Sequence, residues 1–250
     1  MTTKKARILS VEKAVNILNL FKSHEKLTLN EISKLMEIPK TTAFSLIATL
    51  ENMDMLTFDC VTGRYTLGIN IVELFNSINS NRNIRDEARK ELRKLSDQYQ
   101  KNTHITMLSG RHIIYVESIV PAGAMAVTTV VGAKAPANCT SSGKAFLAYT
   151  SQEELNKVLS EPLEGLTLNS ILDTAVLRKE LDGIRKDGYA VDNEESILGV
   201  KGVGTVVVDQ WGKPVLGISI AGLASYITPS EIEIFSQKLK EIAKYLSNYK

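Results

Sequence analysis

Small hydroxyl and basic residues at the start of one predicted helix could contact DNA. The helix runs from Lys40 to Leu50 and places Phe44, Ile47 and Leu50 at the spacing of a buried face. Its predicted outer face carries Lys40, Thr41, Thr42, Ser45 and Thr49. Short hydroxyl side chains reach phosphate oxygens and base edges without filling the major groove. The pattern favours a DNA-reading helix over the alternative, an amphipathic helical hairpin in a small domain with another role.

A second predicted helix start could bind a small carboxylate. Ser141 and Ser142 open this helix, where backbone N–H groups lack partners and lie at the positive end of the helix dipole. Asp192 ends a predicted strand and Ser219 lies on another, so these two side chains could hold a ligand's own hydroxyl or carbonyl group. The alternatives are a simple capping turn at the serines and a turn-forming role for Asp192.

Catalytic and nucleotide-binding motifs are incomplete in this sequence. Ser141 and Lys144 fit a Ser-x-x-Lys pattern, but neither Lys-Thr-Gly nor Ser-Asp-Asn follows. A P-loop would need glycine in place of Asn138, and residues 199–204 have the wrong glycine spacing for a dinucleotide site. Metal-like spacing is missing from the three histidines, His24, His104 and His112. We predict no catalysis, no cofactor and no metal; the rival interpretation is a small-molecule hydrolase with a winged-helix appendage.

Neighbouring elements predict that the first helix belongs to a winged helix-turn-helix. A preceding short helix has Thr28 as its cap and Glu31 three residues later, and Pro39 separates it from the helix at Lys40. Two alternating runs on either side of residues 60–63 read as a hairpin with glycine at the end of its turn. This hairpin is the expected wing, and Arg64 on it is expected to lie along the phosphate backbone beside the groove.

Net charge gives DNA binding little support. Residues 1–80 hold nine Lys and Arg against eight Asp and Glu, and residues 81–250 hold 21 against 20. Affinity for phosphates must therefore come from the placement of a few basic residues, which are Lys4, Lys5 and Arg7 on an N-terminal arm, Lys40 on the helix and Arg64 on the wing. With so few charges per chain, we predict that a monomer binds poorly and that two copies read a pseudo-palindrome.

The chain is long enough for two domains with separate cores. We predict a winged helix-turn-helix domain over residues 1–68, a linker helix over residues 69–82 and a ligand-binding domain over residues 83–250. No apolar run has the length of a membrane span, and the first residues lack the hydrophobic segment of a signal peptide, so we expect a cytoplasmic protein. Cys60 and Cys139 have no ligand-like neighbours and are expected to be reduced.

The second domain mixes strands with helices. Residues 103–108 and 112–119 flank a turn as a hairpin, and residues 125–131 are predicted as a third strand. Helices are predicted from Ser141, after Ser151 and after Thr174, and three more strands precede a final helix from Thr228 to Asn248. Antiparallel hairpins with helices between them favour an α+β domain over a parallel α/β fold.

Five sequence blocks resemble the IclR-type bacterial transcriptional regulators over almost the full length. The blocks are residues 10–14, 39–43, 65–68, 142–145 and 188–195. Gly188, Asp192 and Glu195 match the family's effector-domain signature, with Asp209 at its far end. The resemblance implies an N-terminal winged helix, a linker helix that pairs with its partner, a GAF-like effector-binding domain, and a dimer or dimer of dimers. It also implies regulation of a catabolic operon through a small organic acid; repression is expected, and activation stays open.

The resemblance also implies which residues line the effector pocket. Amides of Ser141 and Ser142 and side chains of Asp192 and Ser219 would hold the ligand, and Ala124, Val127 and Val200 would form an apolar wall. Gly202 stands where the family usually has Cys, Ser or Ala, Ala221 where some members have a second Ser, and Val208 where an aromatic residue is common. These departures favour a larger ligand than glyoxylate, and Ser45 in place of a frequent Arg points to a different operator. Residues 139–148 are similar to the branch that senses 2-keto-3-deoxygluconate, which makes a keto sugar acid the expected effector.

Overall fold

The computed structural model describes residues 7–77, 82–122 and 129–249. The chain divides into two compact units, Met1–Arg82 and Asn83–Lys250. No helix in the described ranges is both long enough and apolar enough to cross a membrane. The first unit contains α1 (Leu9–Leu20), α2 (Leu29–Leu35), α3 (Lys40–Asn52), β1 (Leu56–Asp59), β2 (Arg64–Leu67) and α4 (Asn70–Ser77).

Local sequence signals account for the helix-turn-helix of the first unit. The Thr28 side chain accepts a hydrogen bond from the Glu31 backbone N–H, and the Glu31 carboxylate accepts one from the Thr28 N–H at 2.7 Å, so α2 begins with a capping box. Pro39 stands at the N-cap of α3, and it disfavours helical backbone at Ile38, so α2 and α3 are separate helices. Strands β1 and β2 pair antiparallel as the predicted wing. These elements enclose one core around Ile17, Ile32, Ala43, Ile47, Leu56 and Tyr65.

Helix α3 buries two of the three residues predicted for its core face, Ile47 and Leu50. Phe44 was expected in the core, and this prediction is wrong, because its side chain is 56% exposed. Ala43 occupies the buried position instead, together with Ile47 and Leu50. Residues 43, 47 and 50 follow the i, i+4, i+7 spacing of one helix face, whereas Phe44 lies about a quarter turn away from it. Phe44 therefore lies on the outward face with Lys40 and Thr41.

The second unit combines one sheet with helices on both of its faces. Its elements are α5 (Arg82–Tyr99), β3 (Asn102–Ser109), β4 (His112–Ile119), β5 (Lys134–Pro136), α6 (Ser141–Tyr149), α7 (Gln152–Val158), α8 (Thr174–Asp187), β6 (Ala190–Asn193), β7 (Val200–Val208), β8 (Pro214–Leu223) and α9 (Pro229–Ser247). The strand order is β5-β4-β3-β8-β7-β6, and every neighbouring pair is antiparallel. This is the predicted α+β fold class, a GAF-like sheet domain that follows a winged helix.

Period-two alternation gives the sheet two different faces. Ile105, Val203 and Ile218 belong to a core cluster that also contains residues of α5 and α9. The opposite face of β3, β8 and β7 carries small and polar residues, namely Asn102, His104, Thr106, Gly217, Ser219, Ala221, Gly202 and Gly204. The buried helix α6 packs close to this polar face.

Two boundaries differ from the sequence prediction. A strand was predicted over residues 125–131, but residues 129–131 are not in a strand and residues 123–128 lie outside the described ranges. The third strand of the hairpin region is β5, which begins after a turn at Gly132, whose φ of +89° suits glycine. Helix α8 is capped by Asp173 rather than Thr174, since the Asp173 carboxylate accepts hydrogen bonds from the backbone N–H groups of residues 175 and 176.

Candidate functional site

Strand register brings cavity residues together from distant parts of the chain. One row across the sheet runs from Asn102 on β3 through Ala221 and Gly202 to Asp192 on β6. The next row runs from His104 through Ser219 and Gly204 to Ala190. Because rows two residues apart point to the same side, these side chains form one continuous surface.

Glycines in the middle of these rows allow the start of α6 to approach the sheet. A Cβ on Gly204 would lie 2.7 Å from the backbone nitrogen of Ser142, which is shorter than any normal contact. A Cβ on Gly202 would lie 3.2 Å from the Ser141 hydroxyl oxygen. A larger residue at position 204 would push the helix start away from the sheet, so Gly204 sets how closely the two approach, whereas at position 202 a small shift of the Ser141 side chain would make room.

The start of α6 is buried and polar. Ser141 and Ser142 are 5% and 2% exposed. Thr140 is the N-cap, and its side chain accepts a hydrogen bond from the Gly143 N–H at 3.2 Å, so the capping-turn alternative is present. The Thr106 hydroxyl donates to the Ser142 hydroxyl oxygen at 3.0 Å. The backbone N–H groups of residues 141 and 142 have no partner within the helix, which leaves the helix start able to bind an anion.

Asp192 holds a turn and lines the cavity at the same time. Its carboxylate accepts hydrogen bonds from the backbone N–H groups of Glu195, at 2.8 Å, and Ser196, at 3.3 Å, and from the Ser196 hydroxyl. Burial raises the pKa of Asp192, although these hydrogen bonds and Lys144 act in the opposite direction. The turn-forming alternative is thus present, and a buried carboxylate that also faces the cavity can accept a hydrogen bond from a ligand hydroxyl.

His104 and Tyr115 are cavity residues that sequence reasoning missed. The Nε2 atom of His104 is buried and has no hydrogen-bond partner among the described residues. Burial lowers the pKa of His104 to about 4, so the ring is neutral at physiological pH. The Tyr115 ring packs edge-on against it, with 5.3 Å between ring centroids, and burial together with the charge of Asp192 raises the pKa of Tyr115 to about 12. Alternation along residues 102–106 was the signal that could have identified His104.

A buried ion-pair network supports the wall of the cavity. The Lys144 ammonium lies 2.5 Å from a carboxylate oxygen of Glu180 and 2.5 Å from one of Glu195. Lys144 is fully buried and Glu195 nearly so, and burial raises the pKa of Glu195 while Lys144 lowers it. Since the Glu195 N–H also donates to Asp192, the network joins α6 to the turn that follows β6.

A cavity of about 40 Å³ lies where these elements meet. Seven of the nine predicted effector residues line it: Ser141, Ser142, Asp192, Val200, Gly202, Ser219 and Ala221. The other two, Ala124 and Val127, lie outside the described residues. Further lining residues were not predicted, and these are Asn102, His104, Tyr115, Thr129, Thr140, Ser196 and Ile197. Neither Lys nor Arg occurs among the described lining residues, so an anion here would depend on N–H groups and the helix dipole.

The predicted DNA-contacting residues of α3 lie mainly at the surface of the first unit. Lys40, Thr41 and Ser45 are exposed, whereas Thr42 is half-buried. The Ser45 hydroxyl donates to the Thr41 carbonyl at 3.0 Å, so its oxygen is still available as an acceptor. Phe44, which the sequence analysis predicts in the core, is exposed and adds an apolar group to this face.

Arg7 and Arg64 have different surroundings. Arg7 is exposed immediately before α1. The Arg64 guanidinium donates to the Lys26 carbonyl at 3.3 Å and to the Glu31 carboxylate at 3.4 Å, and its side chain is 40% exposed. Arg64 therefore ties the wing to the start of α2, and a role at the phosphate backbone remains a prediction for it.

Comparisons with known proteins agree with this two-unit organisation. The family described as bacterial transcriptional regulator IclR C-terminal matches residues 76–248, and the IclR helix-turn-helix domain matches residues 10–59. The HTH-type transcriptional regulator XynR of Escherichia coli is 31% identical over 96% of both chains. The HTH-type transcriptional repressor AllR of Klebsiella pneumoniae is 26% identical over 95% of this chain and 88% of its own.

A solved structure extends the similarity to three dimensions. The IclR transcriptional regulator from Alicyclobacillus acidocaldarius has a TM-score of 0.83 and 29% identity, covering 97% of this chain and 98% of its own. The C-terminal family match alone spans more than half of the sequence. The chain therefore belongs to the IclR family of bacterial transcriptional regulators.

Proposed function

We propose that this regulator represses a catabolic operon and responds to a small carboxylic acid, with a keto sugar acid as the expected effector. The observation that carries the proposal is the cavity between the start of α6 and the sheet, where a helix N-terminus, a carboxylate and several hydroxyls meet. The name of the AllR relative supports repression.

The chemistry of the cavity suits an acid that also bears hydroxyl groups. The ligand carboxylate would bind the N–H groups at Ser141 and Ser142, which need no positively charged side chain. Lys144 is unsuited to that role, since Glu180 and Glu195 already bind it. Ligand hydroxyls would donate to Asp192 and exchange hydrogen bonds with Ser219, so a simple hydrocarbon acid would leave both buried groups unsatisfied.

The size of the cavity links ligand binding to a change of conformation. A cavity of about 40 Å³ has room for only a few water molecules. A six-carbon acid is larger than this, so we expect it to bind a more open arrangement of the residues around the cavity. A ligand that prefers this arrangement shifts the population towards it, and operator affinity changes by the free-energy difference.

On the DNA side, α3 would enter the major groove with Lys40, Thr41 and Ser45 towards phosphates and base edges, and Thr42 behind them. Arg7 would contribute from the residues before α1 and Arg64 from the wing. The first unit offers few positive charges, so two copies on a pseudo-palindrome are needed for tight binding. A dimer or dimer of dimers meets this requirement.

The test uses the full chain and DNA that the protein selects for itself. Duplexes enriched from a random pool would supply the operator, and mobility shifts would measure affinity with and without 2-keto-3-deoxygluconate. Asp192→Asn should bind the operator normally and lose the response to the acid. Asp182→Asn, an exposed carboxylate on α8, should keep both properties.

Three outcomes would count against the proposal. Operator affinity that no tested acid alters would remove the effector role. If the acid tightened operator binding, the ligand would strengthen repression instead of relieving it. Turnover of an added ester or amide that disappears in Asp192→Asn would favour the hydrolase interpretation instead.

A further inference from the structure

His104 is a polar cavity residue to which the proposed function gives no role. It is 5% exposed, lines the cavity, and has an Nε2 atom without a hydrogen-bond partner among the described residues. A buried polar atom without a partner is costly and is normally explained by strain or function. A hydrophobic residue would avoid this cost. We therefore expect the histidine to form a hydrogen bond with a ligand group.

The position of His104 is set by its strand and by Tyr115. His104 lies two residues before Thr106 on the same face of β3, which separates their Cα atoms by about 7 Å. Thr106 donates its hydroxyl hydrogen to Ser142 at the start of α6. Ser219 lies beside His104 on β8, and the Tyr115 ring packs edge-on against the imidazole. His104 lies two strands away from Gly204, about 10 Å between Cα atoms, and Gly204 is the residue that the Ser142 backbone nitrogen approaches.

We propose that His104 is a specificity-determining residue that forms a hydrogen bond with a hydroxyl group at the far end of the effector. This inference rests on the proposed function, because it assumes that the ligand carboxylate lies at the start of α6. It narrows the effector class to acids with a hydroxyl several bonds away from the carboxylate. Short acids such as pyruvate cannot reach both positions.

The protonation state of His104 suits a neutral hydroxyl partner. Burial keeps the imidazole uncharged at neutral pH, and the titratable groups nearest to it in the cavity are Tyr115 and Asp192. A neutral ring has one N–H donor and one nitrogen acceptor, and a hydroxyl can satisfy either. A second carboxylate would gain no opposite charge here, so dicarboxylates are not expected to be the preferred ligands.

The experiment compares acids that differ only in distal hydroxyls. Two pairs of acids are tested in parallel, one of sugar-acid type and one aromatic, and the first member of each pair carries the hydroxyl groups. The pairs are 2-keto-3-deoxygluconate with 2-oxohexanoate, and 4-hydroxybenzoate with benzoate. Titration calorimetry would measure each acid on the full chain, on His104→Phe and on His104→Gln. Phenylalanine keeps the ring against Tyr115 and removes the hydrogen bond, whereas glutamine keeps a hydrogen-bonding group. His112→Phe, at a histidine paired with Glu164, is the matched control.

We expect His104→Phe to weaken binding of the hydroxylated acid about tenfold and to leave its hydroxyl-free counterpart within about twofold. His104→Gln should recover part of the loss, and His112→Phe should have no effect. The pair in which His104→Phe weakens binding of the hydroxylated acid shows whether the effector is a sugar acid or an aromatic acid. An equal loss for both members of a pair would overturn the role of His104 and leave the effector proposal intact. If the wild type binds none of the four acids, the proposed effector class fails and the His104 role fails with it.

Discussion

Helices α3 and α6 both begin with short hydroxyl residues, yet their surroundings differ. Thr41 and Ser45 of α3 are exposed in the first unit, whereas Ser141 and Ser142 of α6 are buried against the sheet of the second. An exposed helix start can meet a large, highly charged partner such as the DNA backbone. A buried one can meet only a molecule that fits the cavity. Under the proposed function, the same local chemistry serves two partners, because tertiary packing decides what can reach it.

Because of this difference, we expect substitutions on α3 to change binding alone and substitutions near the start of α6 to change both stability and binding. Side chains on the exposed face of α3 make few contacts within the unit, so replacing them should alter DNA affinity and little else. Side chains around the α6 start are buried, so replacing them should alter stability and ligand affinity together. The four predictions below test this distinction, ordered by their expected effect on the free energy of unfolding.

Lys144→Met should be the most destabilising substitution. It leaves the buried Glu195 carboxylate without its ammonium partner, a change that typically costs about 3–5 kcal/mol. Urea unfolding followed by circular dichroism would measure the loss. Lys157→Met breaks an exposed pair with Glu153 and should cost less than about 0.5 kcal/mol. Adding Glu195→Gln to Lys144→Met should recover part of the stability, and similar costs for both lysines would contradict a buried network.

Stability should depend on pH through His104. Between about pH 4 and 6.5 the unfolded chain binds a proton at this residue that the folded chain does not, so the free energy of unfolding falls as pH falls. The contribution is at most about 3 kcal/mol, and about 2 kcal/mol of it should disappear between about pH 7 and pH 5.

His104→Phe isolates this contribution. The raised pKa values of Asp192 and Glu195 act with the opposite sign, because the folded chain keeps protons there that the unfolded chain releases. Those contributions remain in the variant, so the difference between the two unfolding curves reports His104 alone. Parallel pH dependence of wild type and variant would show that the histidine is hydrated or charged in the folded protein.

Gly204→Ala should cost about 1–3 kcal/mol and weaken ligand binding, since the added Cβ would lie 2.7 Å from the Ser142 backbone nitrogen. Gly183→Ala is the matched control on α8, where a Cβ meets nothing within 4 Å and alanine favours the helix. Thermal unfolding with and without the acid would compare them. A stable Gly204→Ala variant with normal ligand affinity would show that the α6 start does not need its close contact with the sheet.

Signals between residues close in sequence predicted much of this structure. The capping box of Thr28 and Glu31, the turn at Pro39 and the glycine of the wing each depend on neighbours within a few positions. These signals identified the start of α3, and the small residues Ser141 and Ser142 identified the start of α6. The strand pattern singled out Asp192 and Ser219, and the family resemblance then added Gly202; the three lie in neighbouring rows of the sheet.

The remaining features depend on tertiary structure. Phe44 and Ala43 are adjacent apolar residues, and only the packing of α3 decides which of them is buried. His104 joins the cavity because β3 pairs with β8, a strand from the other end of the domain. Pairing between such distant segments leaves no local mark in the sequence. The size of the cavity also depends on close contacts that glycine positions permit but do not specify.

Lys40→Ala should have the smallest effect on stability, within about 0.5 kcal/mol, because Lys40 is exposed at the first position of α3. Its effect should fall on DNA binding: affinity for selected and random duplexes should decrease alike, and the slope of log affinity against log salt should fall by about one for each lysine that contacts a phosphate. Lys22→Ala, an exposed lysine just after α1, provides the control. Affinity for the acid should be unchanged in both variants. A loss of acid binding in Lys40→Ala, or an unchanged salt slope, would contradict the separation of an exposed DNA-binding helix from a buried ligand cavity.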